Sequence, residues 1–518
     1  MKVFQFALLL TVFVSVFADS TFDAVMPLPT KLQVSGSAKT ISRPLSITIS
    51  SPDADKVRSS ASMWTKIAFP GPSTKGDVTG LKIVLDDGYI VAVDHTTDES
   101  YSTFLNGNTI EIHAKNHVGM SRAFASLADV ADYSYGSYEA TIPSGLLITD
   151  SPRYGWRGVL VDTARHYLGP LTVKKILVGM ALSKLNVMHW HFEDAQSWSV
   201  HMPSQPKLDG GAWVPSALMT DLDVSEVVDF ATKLGIAVVP EVDIPGHGAI
   251  WGHADPAFTA DCGAHMDRNI NNIPVSPASS KIIPAIQGVT ADLANMFPTK
   301  YTHLGGDEVE TICYDKDATV AAWLKKQGIR SSQVPEYFVR NVMPTVLQQG
   351  RTPVFWEEMF ARLTAAEHKQ SIFEVWSDRA KLAEIVSTGS NAILASPWYL
   401  DKQIPDQPTA YLWIDTWKAM YAQDPTDQIP AAHQANILGG EAAMWAETVD
   451  EDTVDGRMWP RILAPAERLW SAQSVTDTDS AEARMNVKRC VLVRAGVHSS
   501  PIRPSAPCVV PPSVPVWK

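Results

Sequence analysis

The sequence predicts an α/β chain, with a (β/α)8 barrel over most of its length and a small α+β domain before it. Three observations carry this expectation. Beyond residue 151, eight short, β-branched apolar runs alternate with helical segments, which implies parallel strands joined by right-handed crossovers. The runs read as near-continuous apolar stretches rather than alternating ones, as strands buried on both faces do. Acids, histidines and tryptophans collect where the runs end, the side on which such a barrel keeps its chemistry.

In chain order, Lys2 and the apolar run over residues 3–17, with small residues Val16 and Ala18 before Asp19, form the pattern of a secretory signal over residues 1–18. An uncleaved anchor is the alternative; the run is short for a membrane span, and no later stretch qualifies. Residues 19–150 read as the α+β accessory domain. Runs at 81–85 and 109–113 alternate in period two, and a helix over 119–133 places Met120, Phe124, Leu127 and Val130 on one face. His113 and His117 in this region read as exposed or packed histidines rather than ligands.

Ser151-Pro152-Arg153 marks the boundary to the barrel domain, 151–518. Strands are expected at 158–162, 187–192, 236–242, 301–304, 353–356, 372–376, 392–396 and 438–445. Helices are expected at 173–185, 225–234, 279–296, 315–327, 335–348 and 379–387.

A chain of 518 residues can bury two cores, and 45% apolar with 19% charged residues describes an ordinary globular protein. The net charge of −13 argues against nucleic-acid and anionic-membrane partners. Four cysteines allow three pairings, of which the sequence neighbours, Cys262–Cys313 and Cys490–Cys508, are the simplest. No cysteine spacing suits zinc, and no Asn-x-Ser/Thr sequon occurs.

The chemistry centres on His303-Leu304-Gly305-Gly306-Asp307-Glu308. Two glycines allow a sharp bend just past a strand, and two adjacent carboxylates follow. Sixteen tryptophans are available, and several stand with carboxylates at the strand ends, the composition of a sugar site. A phosphate-binding glycine loop with lysine is missing, as is a Gly-x-Ser-x-Gly elbow.

Several long strings then resemble the β-N-acetylhexosaminidases of glycoside hydrolase family 20. They are RGVLVDTARHY (157–167), NVMHWHFED (186–194), PEVDIPGH (240–247), HLGGDEVE (303–310), EVWSD (374–378), SPWYLD (396–401), GGEAAMWAE (439–447) and PRILAPAERLW (460–470). The resemblance implies an exo-acting, retaining hydrolase of terminal β-linked GlcNAc or GalNAc. Its nucleophile is the substrate's own 2-acetamido oxygen, an exception to the two-carboxylate scheme. It implies Glu308 as general acid and base, Asp307 on the acetamido N–H, and Tyr399 on the acetamido oxygen. Trp356, Trp376 and Trp445 would box the acetamide methyl, Arg165 would bind O3 and O4, and Asp401 and Glu447 the O4 and O6 side. Asp194 and His247 would position and tune Glu308.

The resemblance also implies the neighbour pairing of the cysteines, a homodimer, and neither metal nor organic cofactor. Export or a lysosome-like digestive compartment follows from the signal. Glu193, Glu357, Glu358 and Glu374 read as helix-start or rim carboxylates. Three departures stand out: Ala195 where many members carry a second Asp, the pair Asp401-Lys402, and Pro405 in place of a dimer-contacting Tyr. Two other readings compete: a glycosidase whose nucleophile is Asp401 or Glu358, and a sugar-binding surface protein on an inactive barrel.

Overall fold

The computed structural model describes residues 24–133, 138–263, 273–402, 417–503, 507–508 and 515–517; the expected signal segment and Pro405 lie outside the described residues. Among the described residues, no helix is long and apolar enough to cross a membrane.

The first part is one eight-stranded mixed sheet. Its order is Lys31–Gln33, Leu147–Asp150, Tyr101–Asn106, Thr109–Asn116, Val78–Gly88, Ala38–Ser50, Ala140–Pro143 and Asp132–Tyr133. Helices Ala54–Ala68 and His117–Val130 pack together, with Trp64 stacked on Phe124 at 5.9 Å. Asn116 starts the second helix by accepting the N–H groups of Val118 and Gly119.

That helix is not the one-sided amphipath expected. Every residue of it is buried, because its far side lies against the barrel: Val118 packs with Ala237, and the His117 ring meets the Thr232 carbonyl at 2.9 Å. Burial pushes His117 down to about 4, so it sits there neutral. His113 stays partly exposed beside Glu111.

The second part closes on itself. Strands Trp156–Asp162, Val187–His191, Ala237–Glu241, Tyr301–His303, Thr352–Trp356, Ile372–Val375, Asn391–Leu394 and Ile437–Met444 are parallel neighbours in chain order, and the last pairs with the first through Glu441 opposite Gly158. Apolar side chains from the strands' early residues, among them Trp156, Val187, Val239, Ile372 and Ile393, plug the lower barrel. Each such buried aliphatic contributes roughly 1.5–3 kcal/mol. Above the plug the interior turns polar, with His189, Glu241, His303, Glu374 and Glu441 all buried.

The expected helix over 315–327 is two helices, Ile312–Lys316 and Ala318–Gln327. Asp317 divides them: its backbone is extended, and its carboxylate caps the second helix through Thr319 N and Val320 N. The disulfides are Cys262–Cys313, which ties the loop after the third barrel strand to the segment after the fourth, and Cys490–Cys508, which ties the last helix to the tail.

Candidate active site

All eight barrel strands feed one cavity of about 240 Å³ at their carboxyl ends. It is lined by Arg165, Asp194, His247, Asp307, Glu308, Trp356, Trp376, Tyr399, Asp401, Trp445 and Glu447, which are the expected site residues, together with His191, Asp243 and Lys402. A wider cleft of about 510 Å³ on the accessory sheet has no tryptophan in its lining.

The turn after the fourth strand is built as its glycines require. Gly305 and Gly306 have φ of +59° and +103°, and a Cβ on Gly305 would stand 1.8 Å from Asp243 Oδ1. Asp243 in turn accepts the Gly306 N–H at 2.9 Å. Glu308 and His247 are themselves left-handed, at φ +48° and +49°, a conformation that non-glycine residues hold only where their surroundings enforce it.

From the first strand end, Arg165 reaches Asp162 at 3.1 Å and Asp194 at 2.5 Å, and its guanidinium lies over the Trp445 ring at 4.8 Å. Asp194 meets His247 Nδ1 at 3.2 Å, while His247 Nε2 stands 3.5 Å from Glu308 and 3.8 Å from Asp307. Burial opposes ionisation of Asp194, but His247 and Arg165 outweigh it and hold its carboxyl well below the usual range. The Asp194 carboxylate likewise keeps His247 charged against its burial.

The two adjacent acids are pushed in opposite directions, as expected of an acid and a base, but the order is reversed. Burial, then the Asp243 carboxylate, drives Asp307 well above the ordinary range. The hydrogen bond to His247 draws half-exposed Glu308 down. The surroundings therefore favour the neutral form of Asp307 and the ionised form of Glu308. Among the described residues, Asp307 Oδ1 and Asp401 Oδ1 have no hydrogen-bond partner, which leaves both available to a ligand.

The indoles are fixed from behind. Trp356 Nε1 donates to Glu241 at 3.0 Å, and Trp376 Nε1 donates to Glu358 at 3.1 Å. Trp356 and Trp445 face one another at 6.0 Å. The Lys402 ammonium lies 3.9 Å above the Tyr399 ring. Burial and the charge of Glu447 oppose ionisation of Asp401, which is raised to about 6.

The helix-start reading holds for Glu357 and Glu358, which open the 3-10 helix Glu357–Arg362; for Glu193 and Glu374 the rim reading is corrected. Glu193, in a two-residue ribbon just past the second barrel strand, and Glu374, inside the barrel, are both buried, and burial raises them to about 8 and about 7. Glu357 is buried and accepts the Trp376 N–H at 3.0 Å, and Glu358 holds the Trp376 indole. Sequence reasoning also missed Glu241, His189 and His303 as a charged layer beneath the cavity. Their signal was a charged or imidazole side chain inside an otherwise apolar strand, where burial demands a partner. His189, His303 and Glu374 are close enough to share a cation by spacing. However, the two nitrogens of His189 already face Glu441 at 2.8 Å and Glu241 at 3.0 Å, so protons join the layer.

Carboxylates, a guanidinium and indole walls at the carboxyl mouth of a (β/α)8 barrel define a sugar-cleaving barrel enzyme, a glycosidase. Residues 154–473 match the family model "Glycosyl hydrolase family 20, catalytic domain", and the chain belongs to that family. It is 38% identical over 409 residues to β-hexosaminidase subunit A1 of Dictyostelium discoideum, covering 79% of this chain and 76% of that protein. It is 31% identical to the human β-hexosaminidase subunit beta, covering 79% of this chain and 72% of that one. The Flavobacterium johnsoniae chitobiase structure superposes with a TM-score of 0.79 at 27% identity, covering 92% of this chain and 73% of that chain.

Proposed function

We propose that this glycosidase is an exo-β-N-acetylhexosaminidase that removes terminal, non-reducing β-linked GlcNAc or GalNAc with retention, the substrate's acetamido group acting as nucleophile. The observation that carries this reading is the unpartnered Asp307 oxygen beside Glu308 in a cavity walled by three indoles. An indole box suits an acetamide methyl, and a carboxylate inside it suits the acetamido N–H.

In the first step Glu308 gives its proton to the glycosidic oxygen. The acetamido oxygen, held by the Tyr399 hydroxyl, bonds to the anomeric carbon as the C–O bond to the leaving group breaks. Asp307 as carboxylate accepts the N–H of the resulting oxazolinium. Glu308 then takes a proton from water, which opens the ring from the opposite face. In the resting state the surroundings favour a proton on Asp307 over Glu308. Bringing an acetamido N–H to Asp307 favours its ionised form, so substrate binding moves that proton toward Glu308, with His247 within reach of both.

Arg165 and Glu447 would take the sugar's far hydroxyls, and Asp401 the O6 side, which favours neutral sugars. Export or a digestive compartment and a homodimer belong to the same reading.

The test is turnover of p-nitrophenyl β-N-acetylglucosaminide and its N-trifluoroacetyl form by wild type and Glu308→Gln. Sharp slowing on the trifluoroacetyl sugar, and loss of about 10²–10⁴-fold in Glu308→Gln, are expected. Equal rates on the two sugars would mark an enzymic nucleophile such as Asp401 or Glu358. Binding without turnover in the wild type would make the barrel a lectin.

A further inference from the structure

One carboxylate beneath the cavity, Glu241 on the third barrel strand, has no place in the chemistry above, yet both halves of the site end on it. Its Oε1 accepts the Trp356 indole N–H at 3.0 Å and faces His303 Nδ1, also at 3.0 Å. Its Oε2 faces His189 Nε2 at 3.0 Å and is paired with His191 Nδ1. Glu241 is wholly buried. From His191 the chain continues upward: Nε2 donates to Asp194 at 2.9 Å, Asp194 meets His247 at 3.2 Å, and His247 stands 3.5 Å from Glu308. The His191 ring also lies edge-on to Trp445 at 4.9 Å.

We propose that Glu241 is a positioning residue that couples the wall of the acetamide box to the acid/base relay, holding Trp356 with one oxygen and orienting His191 toward Asp194 with the other. The inference rests on the function proposed above.

The physical reason lies in proton placement. Asp194 takes Arg165 and His191 on one oxygen and His247 on the other, so His191 is one of the three cationic groups that set its charge. His191 can donate from both nitrogens only as an imidazolium, and a buried imidazolium needs a carboxylate on its far side. Burial alone would discharge His191; Glu241 and Asp194 together outweigh it and keep the ring charged, with the Glu241 carboxylate the larger contributor. With a neutral group at position 241, His191 keeps a single proton, held by Asp194, and the ring loses the positive charge that Asp194 and the relay above it face. The same change loosens Trp356, because an amide can present its NH2 rather than its oxygen to the indole. One residue thus sets the fit of the acetamide wall and the proton inventory of Glu308.

The test is Glu241→Gln in the full chain, read by two quantities that a general loss of packing does not move together. The first is the leaving-group dependence of kcat/KM across aryl β-N-acetylglucosaminides, from dinitrophenyl to methylumbelliferyl, which reports acid assistance. The second is the ratio of rates on the N-acetyl and N-trifluoroacetyl sugars, which reports the acetamide arm. We expect a loss of at least tenfold on the poorer leaving groups, a steeper leaving-group dependence, and a smaller acetyl-to-trifluoroacetyl ratio. A change in only one of the two, or in neither, overturns the coupling. Should Glu241→Gln fail to fold, Trp356→Phe removes the indole N–H that Glu241 holds, along with part of the indole wall. It must then steepen the leaving-group dependence as well as alter the acetyl ratio, and movement of the acetyl ratio alone refutes the proposal. Glu308→Gln serves as the control: if it keeps wild-type activity, the function reading fails rather than the role of Glu241.

Discussion

At the scale of single residues, the informative fact is that Asp307 and Glu308, adjacent in sequence, stand in opposite environments. Asp307 is enclosed among the carboxylates of Asp243, Glu241 and Glu308, while Glu308 leans toward the charged ring of His247. A carboxyl placed like Asp307 is stable as the neutral acid until a donor arrives, and the acetamido N–H is that donor in the proposed reaction. Asp307→Asn keeps the shape but cannot ionise. It is expected to lower kcat by about 10²–10³-fold with KM moved much less, since charge stabilisation is needed only as the oxazolinium forms. Steady-state kinetics on the p-nitrophenyl sugar decides this, and an unchanged kcat would remove Asp307 from the chemistry.

At the scale of elements, the turn 304–308 is where sequence and geometry are most tightly joined. Gly305 adopts φ +59°, and its missing Cβ leaves room for Asp243 Oδ1. Gly305→Ala therefore carries both the left-handed penalty of about 1–2 kcal/mol and the displacement of Asp243. A lower melting temperature together with at least a tenfold fall in kcat/KM is expected, with the two measured on the same preparation. A purely thermal effect with normal turnover would show that Asp243 is not needed to aim the acids. The disulfide Cys262–Cys313 closes a separation of 51 residues beside the same mouth. Replacing both cysteines by serine is expected to cost about 2–4 kcal/mol in denaturant unfolding.

At the scale of the whole molecule, buried ion pairs join the accessory sheet to the barrel. Glu99 meets Arg122 and Arg157 at 2.6 Å each, and Asn186 donates to it at 2.7 Å. Glu99→Gln leaves two buried guanidiniums without their counter-charge. It is expected to destabilise the chain by about 3–5 kcal/mol, measured by urea unfolding.

Titration of the interior gives stability a direction in pH. Glu193, Asp243, Glu358 and Glu374 are raised to about 8, 7, 7 and 7. The unfolded chain releases these protons from near pH 4 upward, so their contribution fades as pH rises through that window. His189, raised to about 10 by Glu241 and Glu441 against its burial, loses its contribution between about pH 6.5 and 10. Glu99 and Asp194 are lowered, so what they contribute is lost below about pH 4. Melting temperature should therefore peak near pH 4.5–5 and fall toward pH 8. A maximum at or above pH 7 would contradict this.

The barrel was legible in the sequence because short, largely apolar runs such as 158–162 and 236–242, alternating with helices, fit strands covered on both faces. The strand ends were legible because polar residues there have no core to join, which places Arg165, Asp307, Glu308 and Trp445 at one mouth once closure is assumed. The split of the helix at Asp317 was written locally but overlooked, since an Asp can cap or simply face solvent. Other facts had no local trace. Helix His117–Val130 is buried on every side only because a second layer covers it. Glu374 is buried because the register of strand Ile372–Val375 turns it inward, and Glu193 because the ribbon past the second strand folds it onto the Asp243 backbone N–H. The reversed proton order of Asp307 and Glu308 depends on Asp243 and His247, which lie about 60 residues away and are brought alongside by closure. Sequence alone determined the elements and the chemical inventory, because period and residue type are local properties. Only the tertiary structure decided which charges face each other, because burial and electrostatic coupling depend on distances in space.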